Sequence, residues 1–253
     1  MAAGTDRLQR PGFRLHSPVR SPRGKVSVKR MDRPTQSSRI ASPGSQALLR
    51  EKIHVAKGAL AQSPGNVQEQ LATGWDGAVR LAALLAGLPE AGLGWWAQQP
   101  RGHVLLTAQA QGYVAGELSH GGGSLPAVAQ VPLALLLIEP EQALALALRP
   151  LDHLLGCGGR ADGPWLSDGG GIVRRWRRVG EQVARLFPLG YGLSQEGRTD
   201  PHAYLAQGMA LALLAPRRLQ TADPKLYRLL RDSLLNPGFW GHFVRDWARE
   251  PRP

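Results

Sequence analysis

The side chains best suited to metal binding or proton transfer are seven histidines and one cysteine. The histidines are His16, His54, His103, His120, His153, His202 and His242. None sits in an HExxH, HxH or paired-cysteine spacing, so no ready-made zinc cage can be read from the chain. The closest grouping is Asp152, His153 and Cys157. His153 and Cys157 are four residues apart, a spacing that puts both on one helical face and could offer a cation an imidazole and a thiolate. Gly156 and Gly158 are expected to end the helix there, which favours a satisfied polar end of a buried helix instead. Ser119-His120 supplies a nucleophile and a base, but adjacent side chains do not usually face each other, and the pair could work only if the fold brings in an orienting acid. The glycines of SHGGGS, 119–124, have neither a following Lys-Ser/Thr nor GxGxxG spacing. They read as a plain connection, and no cofactor is expected. One cysteine can make no internal disulfide.

A second chemistry is suggested by RRWRR, 174–178. Arg174, Arg175, Arg177 and Arg178 surround Trp176, and a cation beside an aromatic ring can engage single-stranded nucleic acid. The alternative is a helix whose Trp176, Val179, Val183 and Phe187 face the core and leave the arginines to solvent. The adjacent Trp95 and Trp96 could form an aromatic platform, or a loop with one ring packed inward.

The elements that must position these groups are mainly helical. Apolar residues recur near a 3.6 period over 66–88, with Val67, Leu71, Trp75, Val79 and Leu85 on one face. Helices are also expected over 141–155, 172–187, 201–215, 224–235 and 238–249. Asp200-Pro201 and Asp223-Pro224 place a cap and a first-turn proline before two of them. Phe239, Phe243 and Trp247 form a stripe on the last. HVLLTA favours a strand, with QGYVAG as its antiparallel partner or the next strand. The apolar stretch 125–138 is too short to span a bilayer and reads as a second buried helix flanking 141–155. The expected body is therefore mainly α, or α+β with a short sheet near 102–116.

The run ALALRPLDHLLG, 145–156, its Gly-rich sequel and the later DPHAYLAQGMA, 200–210, resemble gluzincin metalloproteases of the anthrax lethal-factor kind. In that family one helix carries HExxH, and a later helix supplies a carboxylate as third zinc ligand. The resemblance implies a zincin-like arrangement and places the first motif on Ala145, Leu146, Ala147, Leu148 and Arg149, with the downstream carboxylate replaced by Gln207. The catalytic glutamate and all three metal ligands are then missing. Arg149 is expected to occupy the vacated metal position as a fixed cation, bound to a carboxylate from Glu117 or from a partner.

Charge is distributed unevenly. Residues 1–60 carry 13 Lys/Arg against 3 Asp/Glu, while the rest of the chain carries 18 against 16. The first 60 residues are rich in Pro and Ser, and up to residue 45 large apolar side chains are scarce, so this arm is read as disordered in isolation. It can release counterions from a polyanion, meet an acidic partner or confer solubility, and it faintly resembles an organelle transit peptide. Its start lacks the apolar stretch of a secretory signal. The expectation is a cytoplasmic, non-catalytic binding or scaffold protein with a protein partner, no cofactor and no membrane span. The alternatives are a metal-dependent hydrolase or peptidase with an unrecognised site, and a nucleic-acid accessory protein acting through the arm and Arg174–Arg178.

Overall fold

A computed structural model describes residues 42–189 and 193–248. The fold is helix-dominated α+β, with one four-stranded sheet among the described residues. In chain order the elements are α1 (Pro43–Lys52), β1 (Ile53–Val55), α2 (Gly65–Gln68), α3 (Gly74–Leu85), α4 (Glu90–Ala97), β2 (His103–Thr107), β3 (Gly112–His120), β4 (Gly123–Pro132), α5 (Leu133–Ile138) and α6 (Pro140–Cys157). There follow α7 (Arg174–Leu186), α8 (Gln195–Thr199), α9 (Pro201–Leu214), α10 (Pro216–Ala222), α11 (Pro224–Asp232) and α12 (Pro237–Trp247).

The strand order is β1-β2-β4-β3. β2 pairs in parallel with both β1 and β4, and all five of its residues are buried. That explains its unbroken apolar run, since a strand covered on both faces need not alternate. β3 pairs antiparallel with β4 and forms one edge of the sheet. QGYVAG is thus not the neighbour of HVLLTA, because β4 lies between them. Residues 125–132, expected as helix, are strand. Pro126 and Pro132 remove two donors that a helix would need, and only Leu133–Ile138 becomes helical. SHGGGS is the hairpin turn joining β3 to β4. Gly121 and Gly122 sit at φ 60° and 84°, where a two-residue hairpin turn demands left-handed backbone.

Two boundaries move. Residues 43–55, assigned from sequence to the arm, belong to the folded body. Ser42 caps α1, Leu48 is fully buried, and β1 completes the sheet. Lys52 is buried with them, and its ammonium donates to the Gln99 carbonyl. Residues 1–41 lie outside the described residues. The helix expected over 66–88 divides. α3 begins at a capping box, in which Thr73 accepts from Asp76 N and Asp76 from Thr73 N. This places Trp75 in the first turn, 49% exposed rather than in the apolar stripe.

α6 is the central helix, buried along nearly its whole length against β4 and α9. Its end is fixed by the Gly-rich loop. A Cβ on Gly156 would lie 2.4 Å from the Leu166 backbone nitrogen, so only glycine allows the loop to cross there. Trp95 and Trp96 both lie on a helix, α4, and both are buried. Trp95 packs among Trp240, Phe243 and Trp247 of α12, with ring centroids 5.2–6.0 Å away. α9 is tied to α11 by Tyr204, which donates to Asp223 at 2.6 Å while Asp223 caps Leu226 N. Among the described residues no helix is long and apolar enough to cross a membrane.

Candidate functional site

Along one side of the α6–α9 packing runs a groove of about 670 Å³. Ala145 and Leu146 of α6 face Ala203, Ala206 and Ala210 of α9 across it. These small side chains leave space that larger ones would fill. Pro150 lacks the N–H that would bond to the Leu146 carbonyl, which loses its helical donor beside the groove. Of the positions singled out by the metalloprotease resemblance, Ala145, Leu146, Arg149 and Gln207 line this one groove, while Ala147 and Leu148 are buried in the core. Gln111, the residue before edge strand β3, lines it too.

Arg149 is fixed in place, its side chain 16% exposed. Its guanidinium donates to Glu196 at 2.7 Å and lies 3.5 Å from Asp200. The carboxylates on Arg149 are therefore Glu196 and Asp200. Glu117 is not among them, and instead accepts from Ser124 across the β-hairpin. Gln207 accepts from Ser194 Oγ at 2.9 Å, and Ser194 also caps α8 through Gly197 N. On the opposite rim Arg218 of α10 pairs with Glu141 of α6 at 2.7 Å. Both arginines are thus joined to acids from other elements.

Asp152, His153 and Cys157 are near one another but already engaged. Asp152 is fully buried and accepts from Ser167 N at 2.9 Å and Ser167 Oγ at 2.7 Å. His153 Nε2 lies 2.7 Å from the Arg160 carbonyl and must donate to it, so Nδ1 accepts from Tyr113 Oη at 2.6 Å. Burial holds this imidazole below its ordinary pKa, and so neutral. The Cys157 thiol meets the His153 and Arg160 carbonyls, and burial raises its pKa. These groups anchor the 158–171 loop to the end of α6. Among the described residues, no three His, Cys, Asp or Glu are grouped so as to hold a metal ion.

Of the arginine–tryptophan cluster, Trp176 is fully buried against Phe239, Trp240 and Phe243 and offers no face for base stacking. Val179 and Val183 are buried beside it. Arg175 lies over the Phe239 ring and 3.8 Å from Asp246. Arg174, Arg177 and Arg178 are exposed, with Glu181 exposed one turn further along the helix. Ser119 and His120 are successive strand residues on opposite faces of β3.

Two clusters escaped the sequence. Trp165 stacks between His153 and His202, at 4.7 and 4.0 Å, with His202 also 3.1 Å from Asp168. His54 and His103, from adjacent strands, are joined at 3.0 Å, with the His120 ring 5.8 Å from His54. The members are scattered along the sequence, and only strand pairing or loop packing brings them together. His103 Nε2 faces the Pro100 carbonyl and donates to it, so His54 Nε2 donates to His103 Nδ1 and the His103 ring is neutral. Burial, then the Lys52 charge, holds the His103 pKa down at about 4. That is below the unfolded value, so stability is complete above about pH 6.5 and falls as pH drops towards 4. On acidification over that window, the melting temperature of His103→Asn, relative to its own neutral-pH value, should fall less or rise more than that of the wild type. An unchanged slope would remove His103 from the account.

No protein-family model matches the chain, and no curated protein or solved structure matches it either.

Proposed function

We propose that this is a non-catalytic binding or scaffold protein, whose α6–α9 groove receives an extended segment of a protein partner. The observation that carries the reading is that Ala145, Leu146, Arg149 and Gln207 converge on one groove whose chemistry suits binding and not metal catalysis. Zinc catalysis needs three protein ligands and an open position for water. Alanine supplies no ligand, the Arg149 charge repels a cation, and Gln207 is neutral. A degenerate metalloprotease-like domain is the evolutionary reading that fits these substitutions. Support for an extended ligand comes from β3, an edge strand with Gln111 at its start in the groove wall. A peptide added along that edge gains main-chain hydrogen bonds while placing a side chain among the alanines. A cytoplasmic location is part of the proposal.

Natively purified protein is expected to carry substoichiometric zinc and to show no peptidase activity. Stoichiometric zinc with peptidase activity lost on chelation would overturn the non-catalytic reading and favour a hydrolase. The exposed Arg174, Arg177 and Arg178 support a second reading, contact with nucleic acid by charge alone. Such binding would weaken steeply with salt. Absent or salt-independent binding to DNA and RNA would count against it.

A further inference from the structure

We propose that Arg149 is the receptor for a partner's acidic side chain, and that the chain's own segment 193–199 occupies that place in the free protein. The inference rests on the groove reading and adds to it the chemistry of the ligand. Leu193, Ser194 and Glu196 all line the groove. Leu193 packs on the core cluster, and Glu196, three residues on, holds the Arg149 guanidinium. The segment therefore presents an apolar side chain to the groove and a carboxylate to its fixed cation, as a bound peptide would.

The charged end of the segment is its weakest hold. Arg149 is largely buried, but the Glu196 side chain is 57% exposed. An ion pair with one partner so open to solvent is worth about 0–1 kcal/mol. Within α8 only Gly197 is buried. The segment is also held by the Ser194–Gln207 hydrogen bond and by Leu193 on the core cluster. When Glu196 leaves, Asp200 stays near Arg149 and keeps the guanidinium in position. An incoming carboxylate exchanges with Glu196 at little cost in desolvation, because the charge on Arg149 is never left bare. Glu139 and Glu141 line the other end of the groove. Glu141 is paired there with Arg218, so that end carries one net negative charge, which disfavours a second anionic group.

The probe is a fluorescein-labelled peptide of residues 193–199, acetyl-LSQEGRT-amide, titrated against the full chain. Its affinity for the Glu196→Gln protein should exceed that for wild type by up to about fivefold, because the internal competitor is weakened. Arg149→Gln should weaken binding by up to about fivefold, and so should Glu196→Gln within the peptide. Should Glu196→Gln leave the segment seated through Leu193, the Leu193→Ser/Glu196→Gln double variant releases it, with circular dichroism to show both proteins folded. Equal binding to wild type, Glu196→Gln and Arg149→Gln proteins overturns the inference, and so does no binding to the double variant. If unrelated peptides still bind the groove in those cases, the groove reading survives and only the role of Arg149 and Glu196 falls.

Discussion

Removing residues 1–52 is expected to abolish cooperative folding, whereas removing residues 1–41 is expected to leave the melting temperature unchanged. The shorter truncation keeps every described contact. The longer one deletes α1, which packs on α3 and α4 and buries Leu48 and Lys52. It also leaves β1 without the helix that leads into it. Losing one fully buried leucine to alanine costs about 2–5 kcal/mol, a large fraction of the roughly 5–15 kcal/mol that stabilises a domain. Deleting the whole helix exceeds that. Leu48→Ala should therefore lower the melting temperature by about 5–15 °C, which separates the helix's contribution from any effect of truncation itself. Affinity for a polyanion should fall in the 42–253 fragment, because ten of the chain's 31 Lys/Arg lie before residue 42. A fragment starting at residue 53 that melts like the full chain would show that α1 is no part of the fold.

The second large effect is expected at Asp152. Asp152→Ala leaves Ser167 N–H and Oγ–H buried without an acceptor and frees the loop that they hold, at about 2–4 kcal/mol near pH 5. The pH dependence has a definite sign. Burial pushes the Asp152 pKa up to about 7, against the two hydrogen bonds from Ser167 that pull it down. The unfolded chain releases this proton near pH 4. Between those values the folded protein holds a proton that the unfolded chain has lost, so this group's contribution to stability falls as pH rises from about 4 to 7. Asp152→Asn keeps an acceptor for Ser167 and cannot ionise. Relative to wild type it should gain about 2–3 kcal/mol between pH 5 and 8. Chemical denaturation of both proteins at the two pH values gives the comparison, and a constant difference would place the Asp152 pKa near its ordinary value. His103 works in the opposite direction over an overlapping window, so the wild-type profile alone does not separate them.

Local signals fixed most of the helices, and long-range pairing fixed what they missed. α9 and α11 begin at the Asp-Pro pairs visible in the sequence, because a cap and a first-turn proline act within four residues. β4 was concealed. Its composition suits a buried helix or a buried strand, and only its place between β2 and β3 makes it a strand. α1 was concealed by averaging, since a window dominated by arginine and proline runs into Leu48 without a sharp break. At the groove, the residue types at 145, 149 and 207 were legible, including the expectation that Arg149 would bind a carboxylate. The partner was not, because Glu196 lies 47 residues downstream and no pattern in the sequence links the two. Trp176 was legible as a core residue from its spacing to Val179 and Val183, and its burial removes it from the binding surface.

We propose the α6–α9 groove as the binding surface. Peptides selected from a random displayed library on the wild-type protein test it most directly when their affinity is measured again on two variants. Gln207→Trp places a bulky ring at a half-buried groove position, and Arg174→Ala/Arg178→Ala removes the cationic face of α7. The selected peptides should lose binding to folded Gln207→Trp protein and keep it on the arginine variant. Undiminished binding to Gln207→Trp, with loss on the arginine variant, would place the binding surface on α7 and not in the groove.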